Sequence, residues 1–318
     1  MPMNLHLLRV LATVVEQQGF SRAAEILHVS QSAVSKAIRE LEHQLDLPLL
    51  ERGRGQRGIA LTEHGQALYA HARGIFAMER LAAEEVRDRR ALRRGRLRIG
   101  ASTTVAGYWL PRTLAAFSDR HPGIDLALAV GNTREIGQAL VDCEVDVAFV
   151  EGEVGDPRIA STLWQREPLR VVVAAGSALA TPRRPTVAVL AAQTWLLREQ
   201  GSGTRQAADA LLAEHGIAPA RVLTLGSNEG IARAVAHGAG IALLPAAVVE
   251  DPIAAGRLHA VRFGPGAGPS RPLYRLELHD RARLPALQTF LDLQRAEDAT
   301  HAPATADGAA RRTGRKHR

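Results

Sequence analysis

The sequence predicts an α/β protein in three consecutive parts: an N-terminal helix-turn-helix, one long helix, and a C-terminal region of alternating strands and helices. Three patterns carry this. Residues 4–45 space their apolar side chains three and four apart, as short amphipathic helices do. Residues 61–82 place an apolar residue at every seventh position with no proline between them. From Leu97 onward short apolar runs alternate with helical stretches, the mark of a mostly parallel sheet with room for a split into two. A chain of 318 residues suits two or three such domains.

The elements follow in order. Leu5, Leu8, Leu11, Val14 and Val15 form the apolar face of a first helix that Gly19 ends. Ser21 is placed to cap a second short helix through Leu27, and Ser30 a third. On the third, Val34, Ile38, Leu41 and Leu45 share one face, while Ser32, Ser35, Lys36 and Arg39 turn outward with Gln31 on the flank. Small polar and basic side chains on an outward face suit a recognition helix in the DNA major groove. There Gln31 pairs with adenine, and Lys36 or Arg39 reaches guanine or phosphate. A helical hairpin with a merely solvated polar face satisfies the same periodicity. A Gly-rich hairpin follows, and then a helix over 62–93, striped by Leu61, Leu68, Ile75 and Ala82 with Met78 beside them. Arg87, Arg89, Arg90, Arg93 and Arg94 crowd its end, as phosphate contacts or as a solvated hinge.

Strands are expected at 96–101, 124–130, 145–150, 169–175, 194–199, 221–226, 240–244, 258–263 and 273–279. Helices are expected at 105–120, 134–142, 203–215, 228–238 and 284–296. The domain boundaries read from these patterns are 1–62, 63–94, 95–297 and a basic tail, 298–318, that lacks periodicity and is expected to be disordered.

Composition narrows the function. The net charge of +7 is localised: residues 64–98 carry 9 basic and 4 acidic residues, whereas residues 99–296 carry 19 of each. One segment therefore faces a polyanion, and the large C-terminal region does not. Lys36 and Lys316 are the only lysines, which excludes a Schiff-base or P-loop lysine from residues 99–296. With Cys143 alone there is no internal disulfide and no cysteine zinc site. Cys143 reads as a small core residue, with redox sensing as the other reading. The 12 histidines show no metal-ligand spacing and no Gly-x-Ser-x-Gly elbow occurs, so no metal, cofactor or enzymatic activity is expected. No apolar run reaches the roughly 18–20 residues of a membrane span, and no secretory signal opens the chain, so the cytoplasm is the expected location.

Four polar strings stand where a strand ends and a helix begins: Ser102-Thr103-Thr104, Asn132-Thr133, Gly201-Ser202-Gly203-Thr204-Arg205 and Ser227-Asn228-Glu229. In an open α/β sheet those ends border the ligand crevice, and helix N-termini offer N–H groups to an anion. Any one string is also an ordinary helix cap; together they favour a ligand site. Glu229 reads as a helix N-terminal charge.

Residues 20–65 closely resemble the winged helix-turn-helix of LysR-type transcriptional regulators. The resemblance lies in Ala23-Ala24, Ser30-Gln31-Ser32-Ala33-Val34-Ser35, Leu41-Glu42, Leu49-Leu50-Glu51-Arg52 and Leu61-Thr62-Glu63. It implies base or backbone contacts from Gln31, Ser32, Ser35 and Lys36, and places Arg52 to Arg57, with Arg54 among them, on the wing and its approach. The stretch from Arg52 to Leu61 is about two residues longer than the family's common form, and Arg54 and Arg57 stand equally as solvated loop charges. Leu50 occupies a position where the family usually has Phe, a matter of packing. The long helix corresponds to the family's dimerisation helix.

Residues 95–296 resemble the family's effector domain, two α/β subdomains of periplasmic-binding-protein type around a cleft. The strings at 100–104, 130–136, 150–152, 198–205 and 226–245 are similar to the subgroup of Calvin-cycle and sulfur-anion regulators. They imply effector contacts from Ser102, Thr103, Asn132, Thr133, Glu151, Ser202, Thr204, Arg205 and Asn228. Glu151 stands equally as a salt-bridge partner. The reading is a ligand-responsive regulator of double-stranded DNA, a homodimer or homotetramer with a small, anionic effector; contact with RNA polymerase stays open. The alternative, a solute-binding protein without a transcriptional role, explains residues 95–296 but leaves the helix-turn-helix without a use.

Overall fold

The computed structural model describes residues 3–51, 59–88, 95–262, 268–279 and 281–301. The chain forms two compact units, Met1–Arg89 with Val141–Glu144, and Arg90–Leu140 with Val145–Arg318.

The first unit opens with three helices, α1 (Leu5–Glu16), α2 (Phe20–Leu27) and α3 (Gln31–Leu45). Leu7, Val10, Leu11 and Val14 of α1 pack on Ala23 and Ala24 of α2 and on Val34, Ile38 and Leu41 of α3. The two alanines are the small residues that let the helices approach. Ser30 caps α3, its hydroxyl accepting from the Ala33 N–H at 3.2 Å. The expected cap of α2 shifts: Gly19 holds that position in extended geometry, and Ser21 falls inside the first turn.

The base of the wing is an antiparallel bridge between Leu50 and Leu61. It is tied to α3 because Glu42 Oε1 accepts from the Leu49 and Leu50 N–H groups at 2.9 and 3.3 Å. The wing tip, 52–58, with Arg52, Arg54 and Arg57, lies outside the described residues. Helix α4 (Glu63–Asp88) starts directly on this base. Thr62 donates to the Pro48 carbonyl at 2.7 Å and accepts from the Gly65 N–H at 3.0 Å. Gly65 lies so close to the Leu49 carbonyl that a Cβ there would stand 2.0 Å from it. Along α4, Ala72 packs with Leu8 and Ala12 of α1, while Ile75 and Met78 stay exposed. Of the arginines expected at the helix end, Arg89, Arg90, Arg93 and Arg94 lie outside the described residues.

Among its described residues the second unit carries nine strands, β1 (Gly95–Ser102), β2 (Ile124–Gly131), β3 (Val147–Glu151), β4 (Ile159–Ala174), β5 (Thr194–Arg198), β6 (Arg221–Leu225), β7 (Ala242–Pro245), β8 (Leu258–Ala260) and β9 (Ser270–Leu278). Seven helices accompany them, α5 (Pro111–Arg120), α6 (Thr133–Val141), α7 (Val187–Ala191), α8 (Gly203–Glu214), α9 (Asn228–Ala236), α10 (Ala246–Ala254) and α11 (Pro285–His301). A π-helical turn, Val105–Trp109, leads from β1 into α5. The final helix extends past Glu297, so residues 298–301 of the tail expected to be disordered are helical; 302–318 lie outside the described residues.

The main sheet runs β2-β1-β3-β9-β4-β7, with β8 beside β4, and a parallel pair β5–β6 joins β7 through a Trp195–Ile241 bridge. The expectation of a mostly parallel sheet is corrected here. The pairs β3–β9, β4–β9, β4–β7 and β4–β8 are all antiparallel. The cause is β4, which pairs with β9 over its first part and with β7 and β8 over its last. A chain that crosses between two subdomains and returns must lay its crossing strands in opposite directions. Each subdomain has its own core. Phe117, Phe149, Phe290 and Leu97 centre one; Trp195, Leu197, Leu211 and Leu243 centre the other, with a further layer around Leu196, Val235 and Leu244.

Candidate functional site

Two surfaces collect the residues singled out from sequence. The first is the outward face of α3. Gln31, Ser32, Lys36 and Arg39 are exposed and Ser35 half-buried, opposite buried Val34, Ile38 and Leu41. Ser32 bonds with the capping Ser30 at 2.9 Å, and the Arg39 Nε donates to the Ser35 carbonyl at 3.2 Å. Lys36 projects from a helix whose inner face is fixed by packing.

The second is the crevice between the subdomains of the second unit. Ser102, Asn132, Thr133, Glu151, Ser202, Thr204 and Asn228 are all buried there, and Thr103 is half-buried. They arrive on the ends of β1 and β3 and on the N-termini of α6, α8 and α9. A close approach makes this geometry: Gly203, the first residue of α8, touches the end of β3, where an added Cβ would stand 2.2 Å from the Glu151 carbonyl oxygen. Gly201 adopts φ +91°, a left-handed conformation that glycine takes without strain, and its carbonyl accepts from the Arg134 N–H at 3.2 Å.

At the centre lies Arg271, the first inward residue of β9, only 3% exposed. Its Nε donates to Glu167 at 2.7 Å, one terminal nitrogen to Thr204 at 2.7 Å, and the other to Glu151 at 3.1 Å and Thr104 at 3.4 Å. Asn228 donates to Thr104 at 2.9 Å and Thr204 at 3.4 Å. Trp109 secures the second Glu167 oxygen at 2.8 Å. Thr133 donates to the Glu151 carbonyl at 2.6 Å. Among the described residues the Ser102 hydroxyl and the Asn228 amide oxygen are buried with no partner. A buried polar atom left unpaired costs about 1–3 kcal/mol, so both atoms would gain from a polar partner.

A second layer surrounds this centre. Buried Arg198 donates to Thr103 at 3.2 Å and is paired through two bonds with Glu199. Burial pushes the Glu199 carboxyl up, but bonds from Arg198, its own backbone and Asn132 prevail and hold it below the ordinary carboxylate value.

The structure thus gathers eight of the nine expected effector residues, with Arg205 turned aside. Arg205 spends its guanidinium on Asp209 at 2.8 Å and on the Arg198 carbonyl at 3.0 Å. Glu151 is a salt-bridge partner of Arg271. The sequence reading passed over Arg271, Glu167, Trp109 and Arg198. Neither Glu167 nor Arg271 stands inside an apolar run; they become a pair only through the β4–β9 register, where they face each other. A strand begun at 169 leaves Glu167 outside it. Cys143 is buried, with φ +56° and its thiol toward the Val141 carbonyl at 3.8 Å.

Among the described residues no group of three or more His, Cys, Asp or Glu is arranged to hold a metal, and no helix is long and apolar enough to cross a membrane. Comparison with known proteins gives two family matches. Residues 5–66 match the bacterial regulatory helix-turn-helix protein model of the lysR family, and residues 90–299 match the LysR substrate binding domain. The chain is 37% identical over 293 residues to the uncharacterized HTH-type transcriptional regulator YeiE of Escherichia coli strain K12, covering 92% of this chain and 97% of that one. It is 34% identical over 250 residues to a RuBisCO operon transcriptional regulator of Allochromatium vinosum, covering 79% and 82%. Among solved structures it is similar to the CcmR regulatory domain of Synechocystis PCC6803 in complex with 2-PG. That likeness has 30% identity and a TM-score of 0.59, and covers 64% of this chain and 97% of that one.

Proposed function

This chain belongs to the LysR family of DNA-binding transcriptional regulators with a ligand-binding domain, and from that premise we propose that a small anionic effector, held in the crevice, controls how α3 reads its operator. The observation that carries the anion is the convergence of three helix N-termini, those of α6, α8 and α9, on one crevice with unpartnered Ser102 and Asn228. Arg271 engages both Glu151 and Glu167 and leaves one negative charge, which the helix N-termini and the surrounding hydroxyl and amide donors must outweigh. The 2-PG complex of the CcmR domain supports the same reading. Ser102, Thr103, Asn132, Thr133, Ser202, Thr204 and Asn228 supply the contacts, Glu151 holds Arg271, and Arg205 acts from α8 through the Arg198 backbone.

On DNA, Gln31, Ser32, Ser35, Lys36 and Arg39 enter the major groove, and Arg52 and Arg54 of the wing meet the adjoining backbone or minor groove. Helix α4 pairs two copies through the face that leaves Ile75 and Met78 exposed, and two such dimers form a tetramer. The effector acts by binding two arrangements of this assembly with different affinity.

The test is selection of genomic DNA fragments by the full-length protein near physiological salt, repeated with sulfate, phosphate and small phosphate monoesters. A few enriched sites with two-fold-related footprints, altered by one class of anion, is the expected result. Footprints indifferent to every anion would remove the anionic effector while leaving the DNA reading in place. Lys36→Ala is expected to weaken operator binding and to flatten the log K against log [salt] slope by about one unit, with unchanged melting temperature. An unaltered slope would take Lys36 off the DNA.

A further inference from the structure

The subdomain built on β5 to β8 holds a second concavity, apart from the crevice. It measures about 550 Å³, within the range of small-molecule sites. Its floor is apolar, from Ala232 and Ala236 of α9 and Val248 of α10. Its rim carries both signs of charge. One end is acidic: Tyr108, from the π-helical turn, reaches it, and its phenol is raised first by burial and then by the charge and hydrogen bond of Glu229 and the charge of Asp251. His237 caps the other end of α9, about 12 Å along the axis from Glu229. Arg233 lies between them, and Arg257 sits in the turn before β8.

These charges do not neutralise one another. Among the described residues the side chains of Arg233, His237, Asp251 and Arg257 make no hydrogen bond or ion pair. An ordinary protein surface lets such groups pair or disperse. Here they ring one cavity with an aliphatic floor.

We propose that this cavity is a second small-molecule site, taking a zwitterion whose ammonium lies between Glu229 and Asp251 and whose anionic group lies on Arg257 and His237. The aliphatic stem between the two charges rests on Ala232, Ala236 and Val248. The ligand class follows from the presence of both signs on one rim: a singly charged ligand meets only one of them.

Its position ties it to the crevice through two routes. Glu229 directly follows Asn228, whose amide holds Thr104 and Thr204. Tyr108 directly precedes Trp109, which holds Glu167 and through it Arg271. Both aromatic residues belong to one π-helical turn, a distortion that recurs at functional sites. The two sites are thus neighbours along the chain in two places.

Isothermal titration calorimetry of the full-length protein with 6-aminohexanoate, hexanoate and hexylamine tests the assignment. The zwitterion is expected to bind about tenfold tighter than either singly charged probe, each charge-assisted contact contributing on that scale. Asp251→Asn and Arg257→Gln, both at exposed positions, are each expected to weaken it about tenfold with unchanged melting temperature, and Asn132→Ala to leave it intact. Equal affinity for the three probes, persistence in both charge variants, or loss in Asn132→Ala alone would overturn the proposal.

Discussion

Replacing Arg271 with Met is expected to destabilise the second unit by about 3–5 kcal/mol, the usual cost of leaving buried charges without their partner. At about 2–4 °C per kcal/mol, the melting temperature falls by roughly 10 °C. Glu151 and Glu167, 3% and 1% exposed, have no other cation within the bonds described, and Thr104 and Thr204 keep Asn228 but lose their second donor. The triple change Arg271→Met, Glu151→Gln, Glu167→Gln should recover much of the loss, because neutral groups of similar shape remove the buried charge altogether. Urea melts of the single and triple variants measure this. A single-variant loss below about 1 kcal/mol would mean that Arg271 is bonded at no more than surface-pair strength. Operator binding should persist in the single variant and its dependence on the effector should vanish, since α3 lies in the other unit.

Gly203→Ala is the second large effect. The new methyl group would stand 2.2 Å from the Glu151 carbonyl oxygen and 2.7 Å from its carbon, against backbone that cannot rotate away. Overpacking of this kind costs about 1–3 kcal/mol and displaces whichever element yields. The element free to yield is the first turn of α8, which carries Thr204 and its bond to Arg271. Amide exchange across residues 203–207 should then accelerate about tenfold relative to the wild type, while strands β1 and β3 keep their protection. Gly226→Ala, at a position with no neighbour within 4 Å of the added carbon, is the control. Unchanged exchange in Gly203→Ala would show that β3 moved instead of α8.

Much of this architecture is written in local patterns. Helix α3 and its Ser30 cap, the β1 and β5 strands and the start of α8 are legible because each follows a single rule of periodicity or capping that tertiary packing does not override. The strand-end polar strings mark the crevice for a similar reason: topology forces strand ends and helix starts to one side. What escaped is what only the third dimension defines. Helix α10 contains Pro252 and follows β7 without a break, so neither cap nor periodicity marks it. The first half of β4 mixes Ser, Thr, Gln, Arg and Glu, and it is held as a strand by its ladder to β9 and not by an apolar face. Arg271 and Glu167 are separated by 104 residues along the chain. Each alone resembles an ordinary surface charge, and the crossing of β4 and β9 makes them a pair. The wing arginines gave a sequence expectation, Arg52 and Arg54, that falls outside the described residues.

The junction between the wing and α4 has a mechanical meaning. Glu42 grips the two amides that open the wing, Thr62 closes on the Pro48 carbonyl, and Gly65 rests against the Leu49 carbonyl with no room for a methyl group. Each contact joins α4 or the wing base to the same short stretch that follows α3. The long helix and α3 are therefore braced against each other at one root. Under the proposed pairing of two copies along α4, a torque on that helix is passed to α3, and the angle between the two proposed reading heads follows from how their shafts cross.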